Sequence, residues 1–263
     1  MDLHLEGKIA LVTGASQGLG YALALALSRE GARVAINSRN LEKLQKAAGA
    51  IHAETGQEVI ALASDVTEPA AADSLVTEVV NAFGGIDLLV ANAGGPPSGS
   101  FETFGDEDWE RAVNLSFLSQ VRLIRAALPH LRRSAAASVL TVTSLTVKQP
   151  VANLVLSNSI RLATIGLTKS LALELGHQGI RFNSILPGWT ETDRVLHLME
   201  HRSKASGLSV EEERQKQAKE SPLGRMATPE EFANVGAFLL SPAASYLTGV
   251  MLSVDGGMYK GTF

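Results

Sequence analysis

The chain has 263 residues, an apolar share of 45% and a net charge of −4, enough to bury the core of one large α/β domain. It carries no basic stripe with interleaved aromatics, which argues against nucleic acid as a partner, and no cysteine, which removes disulfide, thiolate and cysteine–metal chemistry. No apolar run reaches the roughly 18 residues of a membrane span, and the start lacks a basic segment followed by an apolar one, so a cytoplasmic protein with no membrane partner is expected.

The first predicted strand, Ile9–Thr13, runs into Thr13-Gly-Ala-Ser-Gln-Gly-Leu-Gly20 and then a helical pattern over Gly20–Glu30, ended by Gly31. Glycines permit a tight turn and close approach of the backbone to a pyrophosphate. The helix N-terminus adds free N–H groups and a partial positive charge. Gly14, Ser16, Gln17, Gly18, Leu19 and Gly20 are therefore expected to cradle a dinucleotide. The spacing is G-x-x-x-G-x-G rather than G-x-G-x-x-G, and no P-loop pattern is present.

The second strand, Val34–Asn37, leads to Ser38 and Arg39. A carboxylate there would hold the ribose 2′-hydroxyl of NAD and repel a 2′-phosphate. The hydroxyl and guanidinium found instead can hold that phosphate, which favours NADP, with NAD as the alternative.

Helical spacing follows over Leu41–Glu54, Ala70–Phe83, Asp106–Arg133 and Leu154–Leu175. Between and after these lie strands Val59–Ala63, Leu88–Ala91, Val139–Thr143, Ile180–Leu186 and Val250–Val254, several of them continuously apolar. The polar stretch 190–222 reads as a mobile substrate lid carrying one helix, Ser209–Glu220, announced by the capping box Ser209-Val-Glu-Glu212. Thr228-Pro-Glu-Glu231 announces another helix. The order predicts an α/β fold, a single Rossmann-type doubly wound domain over residues 1–263. Its seven-stranded, mostly parallel sheet has helices on both faces.

Asn92-Ala-Gly94 after the fourth strand, Ser144 after the fifth and Pro187-Gly188 after the sixth complete a pattern with Thr13–Gly20. Over Gly7–Gly257 the chain resembles the short-chain dehydrogenase/reductase family, closest to its ketoacyl-reductase-like members. The resemblance implies that Asp65 and Val66 contact the adenine, and that Asn92, Ala93 and Gly94 line the cofactor ribose. Pro187, Gly188, Thr190 and Thr192 would hold the nicotinamide amide. Asn114 matches the family's proton-relay asparagine, and Ser144 the serine that orients the substrate carbonyl. It also implies a homotetramer, with a dimer as the simpler alternative, in which Asp106–Arg133, Leu154–Leu175 and the last strand pair across two-fold axes.

The family's Tyr-x-x-x-Lys pair is broken. Aligned on Gly166-Leu-Thr-Lys-Ser-Leu-Ala172, the tyrosine position holds Ser157 and the lysine position Arg161. A serine hydroxyl is too weak an acid to replace a phenol near neutral pH. Arg161 keeps its charge and has no free electron pair to accept a proton. It can still grip the cofactor ribose and stabilise negative charge developing on a substrate oxygen. No substitute tyrosine stands out: Tyr21 and Tyr246 lie elsewhere in the pattern, and Tyr259 reads as a surface tail. Lys148 reads as a solvated loop residue. His197-Leu-Met-Glu-His201 fits the zinc pattern H-x-x-E-H but sits in the lid of an otherwise complete dinucleotide fold, so no metal site is expected.

These readings predict an NADP-dependent oxidoreductase of a small carbonyl or alcohol, with Asn114, Ser144, Ser157 and Arg161 as the catalytic set. The alternative is a catalytically inactive dinucleotide-binding protein with a sensor or partner role.

Overall fold

Strand β1 (Ile9–Thr13) is buried on both faces because successive side chains enter different cores: Ala10 and Val12 one, Leu11 the other. The same alternation recurs in β2 (Arg33–Ser38), where Val34 and Ile36 oppose Ala35. It recurs again in β4 (Leu88–Ala91), where Leu88 and Val90 oppose Leu89. With β3 (Val59–Ala63), β5 (Ser138–Val142), β6 (Arg181–Pro187) and β7 (Met251–Val254) these form one sheet, ordered β3-β2-β1-β4-β5-β6-β7. Every pairing is parallel. The structure is a computed structural model, and it describes residues 1–262.

Helices α1 (Gly18–Arg29) and α2 (Leu41–Thr55) cover the first core, and α3 (Ala71–Phe83) belongs to the second. The segment expected as one helix over Asp106–Arg133 is not uniform. It consists of α4 (Asp106–Val113), a π-turn at Asn114–Leu118 and α5 (Ser119–Leu131). The reason lies in polar side chains that satisfy the loosened carbonyls. Ser119 Oγ donates to Leu115 O, and Gln120 Nε2 and Thr164 Oγ1 both donate to Ser116 O at 3.1 Å.

Helix α6 (Val155–Leu175) packs on the π-turn, α4 and β6 and reaches the second core. Hydroxyls fix its rotation. Thr164 bonds the π-turn, and Thr168 Oγ1 meets Thr141 of β5 and Ser184 of β6, each at 3.1 Å. That interface aims Ser157 and Arg161, both on α6, past the carboxyl end of β5.

The region 190–222 carries two helices rather than the one expected, α7 (Asp193–Ser206) and α8 (Val210–Ala218). Helix α7 escapes a pattern reading because it buries a single residue, Met199, so no apolar stripe marks it. The capping boxes at Ser209 and Thr228 both form, the second opening α9 (Pro229–Leu240), which packs on α1.

Candidate active site

The order of strands reverses between β1 and β4, and the fold opens a crevice outside their carboxyl ends. Thr13 and Asn92 tie the two strand ends together. Thr13 Oγ1 donates to Asn92 O at 2.7 Å and accepts from Asn92 N at 3.1 Å. Asn92 Nδ2 then donates to Thr13 O at 3.2 Å and Gly14 O at 3.1 Å. The amide that opens Asn92-Ala-Gly94 thus shapes the glycine turn. Gly20 is required by close approach: a Cβ there would stand 2.3 Å from Gly14 O.

A cleft of about 310 Å³ occupies the crevice. Its walls bring together Gly14, Gln17, Gly18, Leu19 and Gly20 from the turn into α1, Asn92, Ala93 and Gly94 from the loop after β4, and Ser144 from the loop after β5. Ser157 and Arg161 from α6, Pro187 at the end of β6 and Gly188, Thr190 and Thr192 after it complete them.

Six other expected residues lie away from these walls. Ser16 lines a neighbouring groove with Lys43 and Lys46. Ser38 donates to Asn40 O at 3.4 Å. Arg39 is exposed, with Nη1 3.8 Å from Asp65 Oδ2, while Asp65 Oδ1 caps Thr67 N and Oγ1. Val66 packs on the second core. Asn114 also stands off the cleft walls. Its Nδ2 donates to Thr67 O at 3.1 Å and its Oδ1 accepts from Arg122 at 2.6 Å, so its amide braces the β3–α3 loop.

At the inner end of the cleft Ser144 Oγ accepts from Thr146 N at 3.2 Å, and Thr146 Oγ1 lies 3.3 Å from Ser157 Oγ. Arg161 is buried, and Nη1 donates to Val142 O at 3.2 Å and Thr143 O at 2.8 Å. Burial, and secondarily the charge of Arg194, pushes the Arg161 guanidinium down to about 10, still cationic near neutral pH. Lys148 Nζ sits 5.1 Å from the Tyr259 ring, and neither residue lines the cleft.

Arg194 lines the cleft and was not anticipated from the sequence. Nη1 and Nη2 donate to Gly95 O at 3.2 Å and Pro96 O at 3.0 Å. Its residue is exposed at the cleft mouth, yet the surrounding walls desolvate the guanidinium and lower its pKa. One signal was readable: a cation in the first turn of a helix opposes the helix dipole, which marks a side chain kept there for another reason.

The family model described as enoyl-(acyl carrier protein) reductase matches residues 14–259. The 3-oxoacyl-[acyl-carrier-protein] reductase FabG of Vibrio cholerae is 33% identical, over 98% of this chain and 99% of that one. L-sorbose reductase from Gluconobacter frateurii, solved with NADPH and L-sorbose, superposes with a TM-score of 0.95 at 33% identity, covering 99% and 100% of the two chains. An NADPH-bound short chain oxidoreductase from Pseudomonas aeruginosa PAO1, described as containing an atypical catalytic center, gives 0.88 at 32% identity over 97% and 98%. With the parallel seven-stranded sheet and the glycine turn at its switch point, these matches show that the chain belongs to the short-chain dehydrogenase/reductase family.

Proposed function

We propose that the chain is an NADPH-dependent reductase of a small carbonyl compound that works without the family's phenol. The observation that carries this reading is Arg161: a buried, charged guanidinium opening on the cleft, with no carboxylate within ion-pair distance among the described residues. Such a charge is costly unless a bound partner uses it.

The walls suit the dinucleotide. Arg161 Nε, Thr143 Oγ1 and Thr190 Oγ1 are buried without a hydrogen-bond partner, and all three residues line the cleft. The turn before α1 presents N–H groups to the pyrophosphate. When bound, NADPH supplies a hydride to the carbonyl carbon and leaves as NADP⁺. Ser144 orients the carbonyl oxygen, and Arg161 stabilises the negative charge that develops there. The resulting alkoxide takes its proton from water, since neither Ser157 nor Arg161 can donate one near neutral pH. NADPH oxidation over a panel of carbonyl compounds tests the reading. The unmodified chain should oxidise NADPH with at least one of them and Arg161→Ala should not.

A second reading, cofactor binding without turnover, is favoured by one feature. Among the described residues, Ser157 Oγ has only Thr146 Oγ1 as a partner, and no tyrosine lines the cleft. Calorimetric NADPH binding with no oxidation on any carbonyl would select it.

Arg39 and Ser38 are assigned to the 2′-phosphate. NADPH should bind more tightly than NADH, and Arg39→Ala should shrink the difference about tenfold or more, the worth of one charge-assisted contact. Equal affinities in the unmodified chain would remove the assignment.

Assembly as a homotetramer is proposed on exposed apolar residues. Leu162 and Leu173 of α6 are 50% and 75% exposed, and Leu252 sits on the open edge strand β7. Light scattering at micromolar concentration should give four chain masses. Leu173→Glu should lower that mass, and a monomer before mutation would refute the proposal.

A further inference from the structure

The wall of the cleft holds two guanidiniums with nothing between them to balance their charge. Gly95 measures how close they come. A Cβ built there would lie 2.6 Å from Arg194 Nη2 and 3.3 Å from Arg161 Nη2. The two Nη2 atoms therefore approach within two such contacts, a gap that one carboxylate bridges. The bonds these arginines do make go to backbone carbonyls: Val142 and Thr143 for Arg161, Gly95 and Pro96 for Arg194. The other charged group on the cleft walls is Asp193, and it is not within ion-pair distance of either arginine. Arg161 Nε is buried and unpartnered.

We propose that the substrate is an oxo acid, with its carboxylate held between Arg161 and Arg194 beside the carbonyl that receives the hydride. This names the substrate class of the reductase proposed above and rests on that reading. Two like charges this close, in surroundings that already desolvate both, repel each other until an anion enters. Arg161 anchors at the end of β5 next to Ser144, and Arg194 reaches across from α7 to the loop after β4, sharing its groove with Gln17 of the phosphate cradle. The anion is thereby placed at the reacting end. Beyond Arg194, His197 and His201 on the same helix line a groove that continues outward along Pro96 and Pro97, with Glu200 paired to His197 at 3.1 Å.

The test uses the NADPH-saturated protein and calorimetry, so that binding is read without turnover. Oxamate, a non-reducible oxo-carboxylate mimic, is compared with oxamide, its neutral counterpart. Oxamate should bind at least tenfold more tightly. Arg194→Gln should bring the two together, and Arg194→Lys should keep part of the preference. Because Arg194 is at the mouth and exposed, the fold is expected to survive, and the comparison in the unmodified protein stands alone if it does not. Equal binding of the two ligands, or a preference untouched by Arg194→Gln, overturns the proposal. So does oxamate binding that occurs only without NADPH, which would make the pair a cofactor phosphate contact. Preferential oxamate binding in a protein that reduces no oxo acid supports the anion site and removes the reductase reading alone.

Discussion

Introducing Ser157→Tyr together with Arg161→Lys is expected to raise NADPH-dependent reduction of a neutral activated ketone by about 100-fold or more, the usual worth of a positioned general acid. Three features of the cleft support this. Ser157 already lines it, one loose contact from Thr146, so a phenol at that position points where the reaction occurs. Ser144, to which the proposed reaction gives the carbonyl oxygen, lines the same cleft. The α6 interface through Thr164 and Thr168 involves neither mutated residue, so the helix face keeps its aim. Each single change should do little. A tyrosine without a lysine keeps a pKa near about 10, and a lysine without the phenol has no proton donor to tune. Turnover of the double variant is to be compared with the unmodified chain under saturating NADPH. A folded, NADPH-binding double variant with no gain would mean the cleft is laid out for something other than hydride transfer to a carbonyl.

The largest loss should come from Gly20→Ala. The added methyl would sit 2.3 Å from Gly14 O and 2.8 Å from Asn92 Nδ2, and neither can retreat. Gly14 is held in its turn by the very amide it would strike, since Asn92 Nδ2 donates to Gly14 O. The turn must open, which separates the N–H groups meant for the pyrophosphate. A cost of about 1–3 kcal/mol in unfolding free energy is expected from the overpacking, with NADPH affinity falling about 100-fold or more. Thermal melts with and without NADPH read both quantities. A variant whose melting temperature still rises normally with NADPH would show that the cradle is not the cofactor's seat.

Much of the fold was legible because the strands are buried on both faces, and their continuous apolar runs leave little choice but a parallel, doubly covered sheet. The cleft was legible where its residues belong to strand ends. Gly14, Gln17–Gly20, Asn92–Gly94, Ser144, Pro187–Thr190 and Thr192 converge there because a parallel sheet puts every carboxyl end on one side. What stayed hidden depended on side-chain direction. The place of Asn114 in the pattern does not give the direction of its amide, which bonds Thr67 and Arg122. Helix α7 carries one buried residue, so neither its existence nor the reach of Arg194 follows from apolar spacing. Asn92 was read as a ribose contact, and its bonding to Gly14 shows that it also sets the shape of the turn.

The π-turn at Asn114–Leu118 divides one continuous rod between two interiors. A π-turn accommodates an extra residue, and one residue is about 100° of rotation about a helix axis. Downstream of it, Leu123, Ile124, Ala127 and Leu131 of α5 enter the core beneath the sheet. Upstream, Ala112 of α4 joins a separate small cluster with Leu156 and Ile160 of α6, next to the turn that carries Ser157. An unbroken α-helix would carry its apolar stripe along one line and serve a single seam. The extra residue acts as a phase shifter: it lets the same rod be fixed in the body of the molecule at one end and brace the first turn of α6, which carries Ser157, at the other.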